Sequence, residues 1–136
     1  MKLIEARWCD VPHYWPFIED WVREALAHGD MAFWPEDIRA ACMQKQMALW
    51  IAETEKGEVR ACAVTAPQVY PRLRSLAVLI IGGVGMKDWL HLTEEVEGKA
   101  RDRGFEAVEG PGREGWERVM APKGYRPVFT VYRKML

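Results

Sequence analysis

A chain of 136 residues has room for one domain and one core, large enough to be stable without metals or disulfides. Its 49% hydrophobic and 29% charged residues exclude a disordered or fibrous chain. A formal net charge of −1 gives no electrostatic support for a nucleic-acid partner.

The first seven residues lack an apolar run of signal-peptide length, and the longest apolar stretch, 76–85, is too short to span a bilayer. A cytoplasmic location without a membrane partner is expected. Cys9, Cys42 and Cys62 are odd in number and far apart, and none has metal-ligand spacing to His13, His28 or His91. They are expected to be reduced, mostly buried thiols, with no metal site. The seven tryptophans at 8, 15, 21, 34, 50, 89 and 116 follow no repeat. Aromatic bodies with one polar tip suit both core packing and the walls of a pocket.

In chain order, Lys2–Trp8 alternates enough for a strand. Asp10 then stands at a helix N-cap position with Pro12 in the first turn, and Trp15, Ile18, Val22 and Leu26 make the apolar stripe of a helix ending near Gly29. Glu36–Gln46 predicts a second helix. Ala48–Ala52 and Val59–Val64, separated by the Lys56-Gly57 turn, predict an antiparallel hairpin. Residues 66–74, with two prolines and two arginines, suggest a loop, and Ser75–Ile81 is apolar enough for a central strand covered on both faces. Gly82-Gly83-Val84-Gly85 breaks that strand. Asp88 can cap the next helix, whose inner face is Trp89, Leu92, Val96 and Ala100, with Gly104 as its stop. A short strand at Phe105–Glu109, a brief helix around 115–121 and an alternating strand at 128–133 complete the chain.

The order β-α-α-β-β-β-α-β-α-β makes an α/β (α+β) domain spanning 1–136, with a mixed, mostly antiparallel central sheet flanked by helices. That order, with a glycine-rich break before the third helix, resembles the GNAT superfamily of N-acetyltransferases over essentially the whole chain. Local matches are Ala100-Arg101-Asp102-Arg103-Gly104-Phe105 at the end of the third helix, then Gly112-Arg113-Glu114-Gly115-Trp116 and Gly124-Tyr125-Arg126-Pro127 around the fourth. The Gly-Arg-x-Gly-Trp segment is similar to one in small GNAT-like proteins of phages and prophages. It implies a phage or prophage origin, with a phage or host protein as an alternative partner and virion association as the alternative to the expected cytoplasmic location.

The resemblance implies direct transfer of an acetyl group from acetyl-CoA to a primary amine on a small molecule or a protein. The pyrophosphate would sit on backbone N–H groups of the Ile81, Gly82, Gly83, Val84, Gly85 turn at a helix start. Ile80 takes the place of the family's Arg or Gln, and Lys87 or Arg113 would supply positive charge instead. The same glycines also suit a plain turn from buried strand to helix. The thioester carbonyl would lie near N–H groups at 79–81. Glu109 is the candidate general base and Glu53 a weaker one. His13, Tyr14 and Trp116 are assigned to the acceptor side. The family's proton-donating tyrosine is replaced by Met120, which leaves a second reading open, a non-catalytic GNAT-fold phage structural or host-interaction protein. A third is a module that holds CoA without turnover.

Overall fold

Helical periodicity in the first third of the chain buries one stripe completely. Trp15, Ile18, Val22 and Leu26 all face the interior, with Ile18 and Val22 fully excluded from solvent. The computed structural model describes residues 1–29, 32–112 and 115–136. Strand β1 (Lys2–Ala6) leads through a 3-10 turn into α1 (Val11–Gly29), which is followed by α2 (Pro35–Met43). Strands β2 (Ala48–Glu53), β3 (Val59–Tyr70) and β4 (Leu73–Gly83) come next. After them α3 (Met86–Trp89) passes through a 3-10 turn into α4 (Thr93–Asp102). The short β5 (Ala107–Glu109) and α5 (Trp116–Met120) complete the elements.

The sheet order is β1-β2-β3-β4-β5, antiparallel except for the parallel β4–β5 pair. Because side chains alternate across a strand, the sheet supports two cores. On one face Ile18, Val22 and Ile38 pack with Leu49, Ile51, Val64 and Ile80. On the other, Val96 and Ala100 of α4 meet Trp50 and Leu76, while Trp89 and Leu92 meet Ala52 and Ala61. Each large apolar side chain so buried is worth about 1.5–3 kcal/mol. The buried Trp50 indole keeps its N–H satisfied by donating to the Thr65 hydroxyl at 2.9 Å.

The mixed, mostly antiparallel sheet flanked by helices is the expected class, and three local features differ from expectation. Residues 66–74 are not a loop: β3 and β4 continue as a hairpin through Pro67↔Leu76 to Tyr70↔Leu73. Pro67 is tolerated because β2 pairs with β3 only as far as Thr65, so beyond that point β3 is an edge strand that needs no donor on its outer side. Asp88 is not the N-cap. Gly85 occupies that place with φ 65 and ψ 51, a left-handed conformation that glycine adopts without strain, and Asp88 lies one turn in. The strand expected at 128–133 is not part of the sheet, and residues 125–136 carry no regular structure. Alternation confers strand propensity but does not by itself supply a partner.

Pro16 lies inside α1, and the helix runs through it. Among the described residues, no helix is long and apolar enough to cross a membrane. Among the same residues, no group of three or more His, Cys, Asp or Glu side chains is placed to hold a metal ion.

Candidate active site

Strands β4 and β5 run side by side through Ser75↔Ala107, Leu76↔Val108 and Ala77↔Glu109, and there their pairing stops. At the same level the β3–β4 register shifts: Thr65 faces Val78 but Val64 faces Ile80, which leaves Leu79 as a bulged extra residue. Gly110 holds the departing chain tight against β4, since any Cβ there would collide with the Val78 carbonyl. Beyond this point the chain turns through Pro111 and Gly112 while β4 runs on to Gly83.

A cleft of about 250 Å³ opens where the two strands part. Its β4 wall includes Val78, Leu79, Ile81, Gly82 and Gly83, and its far wall Pro111, Gly112 and Trp116. Helix α1 adds Trp21, Glu24, Ala25 and His28, while Met86 and Trp89 line the glycine-turn end. Three of the seven tryptophans thus line the cleft; Trp15 and Trp50 are core residues, and Trp8 and Trp34 are exposed.

The glycine turn is built from tight local contacts. A Cβ on Gly82 would lie 3.1 Å from the Trp21 Cβ, so this glycine sets the approach of α1 to β4. One on Gly83 would collide with the Arg60 carbonyl and the Ala61 backbone of β3. The Val84 N–H donates to the Arg60 carbonyl at 2.9 Å, and the Trp89 indole N–H donates to the Val84 carbonyl at 3.0 Å. The Val84 amide is therefore engaged within the fold. Arg60 reaches this turn from β3: its Nη2 is 3.1 Å from where Gly85 would carry a Cβ. The Arg60 Nε is buried without a hydrogen-bond partner, while Nη1 bonds Glu58 at 3.2 Å. A guanidinium with an unmet donor beside a left-handed glycine fits a phosphate group. The parting strands fit an extended amide chain such as that of pantetheine, because β4 beyond Ala77 no longer pairs with β5.

Of the residues singled out in the sequence, Ile81, Gly82, Gly83 and Trp116 line the cleft. Val84 and Gly85 belong to the turn that feeds α3, and Lys87 lies in the first turn of α3 itself. Arg113 lies outside the described residues. Glu109 ends β5, and its Oε2 accepts a 2.7 Å hydrogen bond from the Tyr70 hydroxyl at the hairpin tip. Glu53 is an ion-pair partner of Lys2 at 3.6 Å. His13 stacks edge-on against Tyr14, with ring centroids 5.0 Å apart, near the start of α1. Tyr14 precedes Glu24 by ten residues, about 15 Å along a helix axis at 1.5 Å per residue; neither it nor His13 is among the cleft residues.

Sequence reasoning missed Glu24 and Arg60. Glu24 lies on the polar side of α1, one turn before His28, and the two side chains approach to 4.0 Å at the cleft. The i, i+4 spacing was available as a signal, but nothing local reveals that this face meets β4. Among the described residues, no tyrosine lines the cleft. The Tyr125 hydroxyl is turned to Glu97 at 2.8 Å, and Tyr132 is exposed.

No protein-family model matches the sequence, and no curated protein matches it. Solved structures do resemble it in fold. A ribosomal-protein-alanine N-acetyltransferase from Brucella melitensis biovar Abortus 2308 superposes with a TM-score of 0.75 at 12% identity, over 100% of both chains. A predicted acetyltransferase with acetyl-CoA from Clostridium acetobutylicum gives 0.70 at 11% identity, over 98% of this chain and 95% of that one. An aminoglycoside acetyltransferase from an uncultured soil metagenomic sample, in complex with sisomicin, gives 0.64 at 16%, over 99% and 96%. The chain has the fold of these acetyltransferases, which is the GNAT fold expected from its element order.

Proposed function

We propose that this chain is an N-acyltransferase that moves an acetyl group from acetyl-CoA to a primary amine of a small molecule or protein. The observation that carries the reading is the parting of β4 and β5 after Ala77↔Glu109, which opens a cleft between a glycine turn and the Glu24–His28 side of α1. Arg60 and Lys87 supply positive charge at the turn end, where the pyrophosphate belongs. Glu24, beside His28, receives the acceptor's ammonium group, and Glu109 takes its proton through water. Acetyl-CoA supplies the thioester. A C–N bond forms as the C–S bond breaks, the second proton on nitrogen leaves through water to solvent, and the departing thiolate takes a proton from solvent, consistent with Met120 in the usual tyrosine place. N–H groups of the bulged stretch 79–81 stabilise the developing oxyanion.

The test is release of free CoA thiol from acetyl-CoA in the presence of a panel of amines, with a polyamine, an aminoglycoside and a peptide N-terminus as separate arms. Amine-dependent release that Glu109→Gln lowers by about 10²-fold or more supports the reading. The absence of cleft-lining tyrosine and the Ile80 substitution favour a second reading, a binding or host-interaction module without turnover. Acetyl-CoA binding with no amine-dependent release across the whole panel would select it.

A further inference from the structure

The cleft that opens where β4 and β5 part is poor in charge. Among the described residues that line it, only Glu24 and His28 are ionisable. The two side chains approach to 4.0 Å, and a proton on His28 cancels the Glu24 charge, so these residues offer one negative charge at most. The rest of the described wall is apolar side chain or backbone. Trp21, Trp89 and Trp116 line it together with Leu79, Met86 and Pro111. The Trp89 indole N–H is already spent on the Val84 carbonyl at 3.0 Å, so that ring turns no donor to a ligand. Glu109 is outside this lining, at the end of β5, where its Oε2 accepts from the Tyr70 hydroxyl.

We infer that the acceptor is a primary monoamine on an apolar, ring-bearing body, of the class of 2-phenylethylamine, and not a polyamine or an aminoglycoside. The inference rests on the acyltransferase reading for what happens to the amine, and on the cleft alone for which amine enters. In that reading acetyl-CoA takes the glycine-turn end, beside Met86 and Trp89. Glu24 and His28 are then left on one wall and Pro111 and Trp116 on the other. One ammonium is matched there by one carboxylate, beside aromatic rings whose faces attract a cation. A second ammonium would lie against apolar wall without a partner, and an unpaired charge taken out of water is costly. The hydroxyls of an amino sugar meet the same wall and give up hydrogen bonds to water without replacing them. An apolar ring gains from the same burial.

Tryptophan fluorescence of the full chain tests it, because three of the seven tryptophans line the cleft. 2-Phenylethylamine should change the emission saturably and bind about 10-fold or more tightly than spermidine or an aminoglycoside. Trp116→Ala should weaken its binding about 10-fold, as loss of an aromatic anchor does. Glu24→Gln, at a solvent-exposed position outside the core, should weaken it about 3-fold, the share of a screened ion pair, and keeps the test open if Trp116→Ala does not fold. Spermidine or the aminoglycoside binding as tightly as 2-phenylethylamine, no saturable change with any of the three, or 2-phenylethylamine binding that neither substitution weakens would each overturn the inference. Release of CoA thiol from acetyl-CoA keeps the two claims apart. Faster release with spermidine than with 2-phenylethylamine sinks the inference and leaves the acyltransferase reading standing. The binding preference without release from any amine upholds the choice of amine and removes the acyltransferase reading.

Discussion

The Tyr70 hydroxyl donates to Glu109 at 2.7 Å, joining the tip of the β3–β4 hairpin to the last residue of β5. Residues 39 apart in sequence thereby fix a carboxylate at the point where β4 and β5 separate. The hydrogen bond to Glu109, ahead of burial and of the carboxylate's charge, pushes the Tyr70 phenol above its ordinary value. Glu109→Gln should bring one phenol titration back down towards about 10, the usual tyrosine value, in a spectrophotometric titration. If Glu109 is the general base, the same variant should lower kcat while leaving KM for the amine nearly unchanged. Glu24→Gln should do the reverse, raising KM with a smaller effect on kcat.

Arg60 and Gly83 separate ligand binding from folding at the glycine turn. Arg60→Ala should weaken acetyl-CoA by about 1.5–3 kcal/mol, the range for hydrogen bonds to charged groups, without lowering the melting temperature by more than a few degrees. Gly83→Ala should destabilise the fold itself, because its new methyl group meets the β3 backbone. Thermal melts and titrations on both variants check the distinction, and equal loss of binding with intact folding in Gly83→Ala would contradict it.

Burial divides the three thiols into two classes. Cys42 is pushed up to about 11 and Cys62 to about 12 by desolvation, whereas Cys9 is exposed. Burial disfavours the thiolate, which is the reactive form. A disulfide reagent at pH 8 should therefore modify one thiol rapidly in the native protein and all three after unfolding. Three fast reactions in the native state would contradict this core.

Tyr125 gives a pH dependence of known sign. Burial first, then its hydrogen bond to Glu97, pushes its phenol well above the ordinary range. A folded value raised above the unfolded one contributes stability that is fully present below about pH 10 and is lost as pH rises through the folded value. Tyr125→Phe should cost about 0.5–1.5 kcal/mol near neutrality and make the alkaline decline shallower. A steeper decline in the variant would reverse the assignment. In the core on the α4 side of the sheet, Leu92→Ala should cost about 2–5 kcal/mol in urea unfolding, since Leu92 is buried against β2 and β3.

Periodicity made the two cores legible. Ile18, Val22 and Leu26 on one helix, and Trp89, Leu92, Val96 and Ala100 on the 86–102 stretch, are buried as their spacing required. What local pattern does not carry is pairing. Pro67 looked like a loop residue because its effect depends on whether β2 reaches that far along β3. The 128–133 alternation was legible as a strand, but its place outside the sheet was not. The cleft divides the same way: the glycine turn was visible in the sequence, whereas Arg60 reaches that turn only through the pairing of β3 with β4, and Glu24 reaches the cleft only through the angle of α1. Helix α3 begins at Met86, two residues before the expected cap at Asp88, because Gly85 can take a conformation that other residues rarely adopt.

Isothermal titration of the wild-type protein with acetyl-CoA tests the central claim most directly, because the proposed reading requires the cleft between the parted strands, the left-handed Gly85 and the Arg60 guanidinium to hold acetyl-CoA before any transfer can follow. Saturable binding near one acetyl-CoA per chain at submillimolar concentration, weakened at least 10-fold by Arg60→Ala, is the predicted result. No heat of binding at millimolar acetyl-CoA, from protein whose circular dichroism shows it folded, would contradict the account.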